Sequence, residues 1–594
     1  MEQDQTKIPN SEDPEKDVSD YGFFVQDGKY FSRTFTRNNE FYDSDISNFV
    51  MKSLFHLLNG TNNTRRIIFL QRSTGETYTV EIFTAEMKPD SFENVLRSNR
   101  CTFYGSATQL KKVFAKLMDE EKEAFIISEF GWIPAHQIFA FADAIFNNEN
   151  QIIQIDEAGI IQDQDKRYYL PAFALSNLHN EDFKTERLYK YLPGTTDFAT
   201  WSKLYFEAFG ANGLIGILFL ILAVFRDIVF DQVGFFPFLF LFGDFGTGKT
   251  SFADRLLFVF GRDTIGTPLY NATTIALNRL VSSRSNEIFY FKEYTNETDE
   301  TAEDFILTAY DGAGRTTGIK SNDNKTKSFP IKSAMIFDGN HLPTSKSAIL
   351  SRMILLNFEN QTFTLEEKTA FNQLKKLSEE GFGMVLTEIL CNRAEFLKSF
   401  KTVFSETTDK IKEEYSNLPE RTINHVSLVY TALEILKGKL TFPFNSDQTL
   451  EILRKITDQQ SEILLESSPV NIFWMAINFQ IKKGLIIKYD ESTPGTARTS
   501  HYRVKIDPSG YTLQIKFQPI YPFYTKYCKE NNINLIGLSS LRMLLTSSSN
   551  KTFIHSNIRG RGQAYTDKVF GSCYQFMLTK IDDSFKIGDI DFSV

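Results

Sequence analysis

Apolar and polar positions follow two rhythms along this chain, and the switches between them predict its elements. Arg66-Ile-Ile-Phe-Leu-Gln71 and Thr77-Tyr-Thr-Val-Glu-Ile-Phe83 are short apolar or alternating runs around Ser73-Thr-Gly75, which predicts two strands joined by a tight turn. Ser47 to Leu58 predicts a helix capped by Ser44 or Asp45, and Leu110 to Met118 predicts an amphipathic helix. Residues 21–180 therefore read as an N-terminal α+β domain, and 181–234 as a helical linker. Within the linker, Gly213 to Phe225 is almost wholly apolar. At 13 residues ending in Arg226-Asp227 it is too short to span a bilayer, so it predicts a core helix.

Phe238-Leu-Phe-Leu-Phe242 has the pattern of a buried strand, and Ser251 to Val259 returns to helical spacing until Gly261 stops it. Ile288–Phe291, Ile331–Phe337 and Met353–Phe358 are further buried-strand runs. Buried strands alternating with helical spacing over 235–365 predict a parallel sheet flanked by helices, an α/β fold. Residues 366–467 read as helical, with helices over Glu366–Ser405 and Arg421–Lys437. From 468 to 594 the pattern becomes a helix (Val470–Lys482) and strands at Leu485–Tyr489, His501–Ile506 and Tyr511–Phe517, with Asp507-Pro-Ser-Gly510 as a turn. A helix followed by a two-stranded wing is the outline of a winged helix. Residues 1–20, rich in Asp, Glu, Lys and Pro, read as a disordered, solvated tail and not as a signal peptide.

The strand–helix junction at 243 carries the chemistry. Gly243-Asp-Phe-Gly-Thr-Gly-Lys249-Thr250 fits GxxxxGK[ST] between a buried strand and a new helix. Glycines let the backbone curl so that successive N–H groups point at phosphate oxygens. The helix start adds its positive end, Lys249 reaches the β/γ-phosphates, and the Thr250 hydroxyl ligates Mg²⁺. Asp244, Phe245, Gly246, Thr247, Gly248 and Ser251 complete the expected ATP cradle. Hydrolysis needs a carboxylate at the end of a neighbouring strand, and Glu293 supplies one after Ile288-Phe-Tyr-Phe291. Lys292 stands where an acid is usual. Glu293 is accordingly the expected catalytic carboxylate and, with Thr250, the expected Mg²⁺ site. Asp338-Gly339-Asn340 ends the next strand, where Asn340 can sense the γ-phosphate and orient water.

Composition narrows the class without changing it. The 594 residues are too many for one core, and 42% apolar with 23% charged is ordinary for a globular protein. Four cysteines (Cys101, Cys391, Cys528, Cys573) lack CxxC spacing, which speaks against a zinc site or disulfide framework and fits a reducing, cytoplasmic setting. Net charge is −9, yet six bases face three acids between Asp311 and Lys346. A local basic segment in an acidic chain implies a confined anionic contact, such as a loop lining a channel. The pair Asp43-x-Asp45 has no second carboxylate cluster beside it and reads as a helix cap.

In order and spacing these pieces resemble superfamily 3 helicases, a branch of the AAA+ ATPases found in viruses and mobile elements. The matching pieces are Gly243–Thr250 (Walker A), Ile288–Glu293 (Walker B), Asp311–Pro330 (the B′ segment with Lys325-Thr-Lys327), Ala334–Asn340 (motif C) and Arg352 (arginine finger). The upstream Phe130-Gly-Trp132 and Asp156-Glu-Ala-Gly-Ile160…Tyr168-Tyr-Leu-Pro171 also look like the module that precedes such ATPases in phage and mobile-element proteins. The resemblance implies an AAA+ ATPase core and a homo-hexameric ring driven by ATP and Mg²⁺. It further implies that Lys320, Lys325 and Lys327, with His341, grip single-stranded DNA in the ring's channel. Arg352 would project into a neighbour's ATP, other replication proteins would be partners, and no membrane would be involved. Two other readings stay open at this point: a nucleotide-switched DNA-binding scaffold with weak hydrolysis, favoured by Lys292, and an AAA+ motor acting on protein. The basic segment disfavours the second. No primase-like catalytic cluster is present.

Overall fold

Two β-sheets organise the chain as far as residue 358, and the second carries the phosphate loop. A computed structural model describes residues 8–38, 40–59, 64–261, 266–269, 273–295, 300–318, 326–343, 347–359, 362–415, 418–466, 468–489, 492, 494–507, 510–531, 533, 535–547, 552–554, 565–567, 569–577 and 581. The first sheet has six strands in the order Ile160–Asp163, Lys166–Tyr169, Lys122–Ile126, Phe49–Leu58, Arg65–Arg72 and Thr77–Phe83. Helices Pro89–Ser98 and Ala107–Glu120 lay their apolar faces on it, burying Phe92, Leu96, Val113 and Phe114 against Phe49, Met51 and Ile68. Ser106 and Gln109 cap the second helix reciprocally, which fixes where it starts.

Three local expectations fail in this region. Residues 47–58 form a strand, not a helix. The run Phe49-Val-Met-Lys-Ser-Leu-Phe is ambiguous by pattern, and pairing with Arg65–Arg72 on one side and Lys122–Ile126 on the other decides it. Asp43 and Asp45 cap nothing. They sit on strand Phe41–Asp45 and pair across a hairpin with Arg33 and Lys29, each at 2.8 Å. Residues 8–20 are not a free tail either. Asp13 caps the helix Pro14–Tyr21, Asp17 pairs with Lys116 at 2.8 Å, and the Ile8 N–H donates to Gln71 at 2.6 Å. Residues 1–7 lie outside the described residues.

The second sheet has nine strands. Phe238–Gly243 lies parallel between Lys332–Gly339 and Met353–Phe358, and Arg284–Tyr294 lies beyond Lys332–Gly339 with the short Thr267–Pro268 at its side. The far edge is built by the upstream module: Phe130–Ile133 pairs parallel with Arg284–Tyr294 and continues as a meander through Ile138–Ala140, Ala144–Phe146 and Ile152–Gln154. Phe130-Gly-Trp132 is therefore the join between the two regions. Gly131 has φ +83, and a Cβ there would come within 1.8 Å of the Ser285 carbonyl oxygen. Gly131→Ala is expected to lower stability by at least about 2 kcal/mol, through backbone strain and the lost strand pairing, measured as a fall in denaturant midpoint.

The apolar run expected to be a core helix is one. It is the second half of Phe198–Val224, two helices that meet at a kink where Gly210 has φ +55 and ψ −131, and Leu214 to Phe225 are buried. By length and composition the whole stretch could cross a membrane, but it packs here against the sheet and against helices Leu365–Ser378, Gly383–Leu390 and Glu420–Leu436. Burying side chains of this size is worth about 1.5–3 kcal/mol each, so this helix is the chief anchor behind the phosphate-loop strand.

The last region follows the order helix, two strands, two helices, two strands: Pro469–Lys482, Tyr502–Asp507, Gly510–Ile515, Phe517–Glu530, Leu538–Leu545, Tyr565–Asp567 and Gly571–Met577. The two strand pairs form one antiparallel sheet. Leu485–Tyr489 makes only a single bridge, Lys488 to Tyr502, and is not a strand. Its Ile486 and Tyr489 are taken up by separate apolar clusters, which leaves no flat face to pair. Phe517 opens a helix instead of ending a strand, with Pro519 accommodated in the first turn.

Candidate nucleotide-binding site

At the C-terminal edge of the parallel sheet, strand Phe238–Gly243 runs into the phosphate loop and helix Lys249–Leu257 leaves it. Gly246 (φ +82) and Gly248 (φ +97) are left-handed, and a Cβ at Gly248 would meet nothing nearer than Phe363 at 4.0 Å. Their requirement is conformational, and the space above the loop is open. Gly243 is constrained by packing, because a Cβ there would lie 2.2 Å from the Phe358 carbonyl oxygen. The loop curls tightly enough for the Lys249 ammonium to donate to the carbonyls of both Gly243 (2.6 Å) and Asp244 (2.7 Å). The Thr247 hydroxyl closes the turn onto the Asp244 carbonyl at 2.8 Å. Burial holds the Lys249 ammonium below its usual range, opposed by the carboxylates of Asp338 and Asp244. Phe245, at the loop tip, is fully exposed.

Strand Arg284–Tyr294 brings Glu293 to the same edge in an unusual way. Its register with Lys332–Gly339 shifts between Phe291 and Tyr294, so that Lys292 and Glu293 together face the single residue Asp338. This is a β-bulge, which re-aims side chains at a strand end. Glu293 adopts φ +62, a conformation that costs a non-glycine residue about 1–3 kcal/mol, and its side chain is exposed. A hydrogen bond from the Glu293 N–H to Asp338 Oδ1 at 2.7 Å holds it there. The Tyr290 hydroxyl donates to Asp338 Oδ2 at 2.6 Å. Burial, and then the Asp338 carboxylate, push the Tyr290 phenol far above its usual range, so it remains a donor.

Gly339 pairs with Phe242 and Tyr294, which puts Asn340, the next residue, at this edge level with Gly243. Lys249, Thr250, Glu293 and Asn340 thus lie at the same edge of the sheet. Tyr290 and Asp338 were missed. Tyr290 is hidden inside an apolar run, whereas Asp338, the last side chain before Gly339-Asn340, was visible as a polar strand end. A curled glycine loop, a positioned ammonium, a helix-start hydroxyl and carboxylates suit a polyphosphate with a hard divalent cation.

Arg352 and the described part of the basic segment lie at the opposite edge. Arg352 precedes strand Met353–Phe358, and its carbonyl accepts from the Phe238 N–H, so one strand length, about 20 Å, separates it from its own phosphate loop. Its guanidinium donates to the Ala348 carbonyl at 2.7 Å and sits 5.3 Å from the Tyr310 ring, with Arg421 5.4 Å from the same ring. Burial and then the Arg421 charge lower its pKa. Arg315–Gly318 and Thr326–Phe329 form the antiparallel hairpin that the B′ segment implied, with Lys327 opposite Thr317. Lys320 and Lys325 lie outside the described residues. His341 stands at the nucleotide edge, a strand length from the hairpin's base, and so apart from the lysines it was grouped with.

No protein-family model and no curated protein matches the sequence. Among solved structures, one described as SCCmec type IV Cch, active helicase, superposes with a TM-score of 0.60 over 94% of this chain and 98% of its own, at 13% identity. The A-form apo structure of the NrS-1 C-terminal region covers 70% of this chain and 86% of its own at 12% identity, but its TM-score of 0.27 carries no weight. The chain has a helicase-like fold, with a phosphate-loop-bearing α/β core of parallel strands flanked by helices.

Proposed function

We propose that this chain is an ATP-dependent DNA helicase or translocase that acts on single-stranded DNA as a ring, most readily a homo-hexamer, in replication of a phage or mobile element. The observation that carries the reading is the division of the sheet. Lys249, Thr250, Glu293 and Asn340 meet at one edge, while the basic hairpin and Arg352 leave from the other. A motor needs that separation, because nucleotide chemistry and DNA grip must be distinct yet mechanically joined. The helicase-like fold over nearly the whole chain supports it.

In this reading Gly243–Ser251 hold the phosphates, and Lys249 leaves the loop carbonyls to face the β/γ-oxygens. Thr250 and Glu293 would hold Mg²⁺, which would supply neutralisation of phosphate charge. Glu293, exposed and re-aimed by its bulge, orients and polarises the attacking water, and Asn340 holds that water in line. Lys320, Lys325 and Lys327 are assigned to the DNA backbone, and other replication proteins of a cytoplasmic assembly are the expected partners.

Phosphate release measured with and without single-stranded DNA tests this against the scaffold and the protein motor. Stimulation by DNA is expected, and its absence would remove the helicase reading. Lys325→Ala with Lys327→Ala should weaken DNA binding and lower the log–log salt slope by roughly 0.7 per lost phosphate contact. An unchanged slope would make the hairpin a solvated loop.

A further inference from the structure

Lys292 leaves this chain one acid short at the strand end where the cation must be held, and the structure supplies a carboxylate from elsewhere. We propose that Asp338 is the second carboxylate of the cation site, filling in space the position that Lys292 vacates in sequence, and that Tyr290 is the residue that positions it. The inference rests on the nucleotide-hydrolysing reading above and concerns the same edge of the sheet.

Four observations carry it. Asp338 lies directly opposite the Lys292–Glu293 bulge, on the strand adjacent to the phosphate-loop strand. It is only 7% exposed, yet among the described residues no lysine or arginine is paired with it, and the nearby Lys249 ammonium is engaged with loop carbonyls. Each of its oxygens accepts one hydrogen bond, from Tyr290 and from the Glu293 N–H, which uses half of the roughly four acceptor positions a carboxylate offers. Finally, helix Lys249–Leu257, which carries Thr250 in its first turn, packs against both of the strands that hold Tyr290 and Asp338.

The arrangement also gives the two acids separate duties. Because Asp338 is met by the backbone of Glu293 and not by its side chain, the Glu293 carboxylate stays exposed and available to water. Asp338, buried and doubly clamped, is suited to holding a cation or its bound waters and cannot itself reach out to solvent. Lys292 takes no part in this clamp. Its ammonium lies 5.3 Å from the Tyr290 ring centre.

The alternative is that Asp338 only pins the bulge, and a Mg²⁺ titration of nucleotide binding separates the two. Full-length protein would be titrated with a fluorescent ATP analogue in EDTA and at increasing Mg²⁺, for wild type, Asp338→Asn and Tyr290→Phe, with thermal unfolding alongside. Asp338→Asn keeps an acceptor for one donor but loses the charge. It should bind the analogue in EDTA as wild type does, while needing at least about tenfold more Mg²⁺ to reach the tightened state. Tyr290→Phe, which removes one hydroxyl and keeps the ring, should shift the Mg²⁺ midpoint in the same direction. Lys292→Asp in the Asp338→Asn background should recover part of the response by restoring an acid nearby. Folded Asp338→Asn with a wild-type Mg²⁺ midpoint overturns the proposal. If that variant does not fold, an unshifted midpoint in Tyr290→Phe overturns it instead. A wild-type protein whose nucleotide binding ignores Mg²⁺ would overturn the nucleotide-hydrolysing reading and this inference together, whereas failure in the variants alone leaves that reading standing.

Discussion

Lys249→Ala is expected to abolish both ATP binding and turnover, because it removes the single cation that the loop itself positions at the β/γ-phosphates. The ammonium is held between the Gly243 and Asp244 carbonyls at 2.6 and 2.7 Å, so it is already organised at the loop and has only to exchange partners. Glu293→Gln should behave differently. The curl of the loop, the helix start and the Asp338 clamp on the 293 backbone N–H do not involve the Glu293 carboxylate, so nucleotide should still bind. Turnover should fall by at least about 100-fold, since an amide cannot polarise the attacking water. Titration with a fluorescent ATP analogue and phosphate release under excess ATP measure the two effects separately. Wild-type turnover in Glu293→Gln would move the catalytic role to another acid, and Asp338 would be the first to examine.

Arg352→Ala is expected to leave ATP affinity nearly intact while turnover falls by about 1,000-fold, the scale on which an arginine finger acts as the γ-phosphate departs. The fold makes the reason specific. Arg352 stands a strand length from its own phosphate loop, further than an arginine side chain reaches, so any contact with ATP must be made to a neighbouring subunit's nucleotide. Burial and then the charge of Arg421 lower its pKa, opposed by Asp311, and two guanidiniums over one ring favour an incoming anion. Mixing variant subunits into wild-type protein should depress ATPase activity more than in proportion, because each missing arginine disables an intact adjacent site. Strictly proportional loss, or full activity in a dilute monomer, would mean that the ring reading fails.

Much of the α/β core could be read from the chain because its signals are local. Four parallel strands of the sheet were marked by apolar runs too short for helices, and the phosphate loop by glycines that a strand-to-helix turn requires. The same locality explains Glu293 and Asn340, each of which follows directly on such a run. The helix over 214–225 was legible because an apolar stretch of that length, ended by Arg226-Asp227, has few other solutions than a core.

Where partners in space chose between local options, the chain alone misled. Phe49–Leu58 became a strand because two strands distant in sequence pair with it, and residues 8–20 were ordered by Gln71 and Lys116. The join at Gly131, which makes the upstream module part of the nine-stranded sheet, depends on its close approach to Ser285, more than 150 residues away. Most consequential is the bulge at Lys292–Glu293. Alternation along one strand has period two and assigns each side chain a face, and one extra residue reverses that assignment. Only the neighbouring strand, through Asp338, determines that the extra residue falls there. The sequence alone therefore determined that a phosphate loop and an acid share a sheet edge, and tertiary pairing decided which way that acid points and what stands behind it.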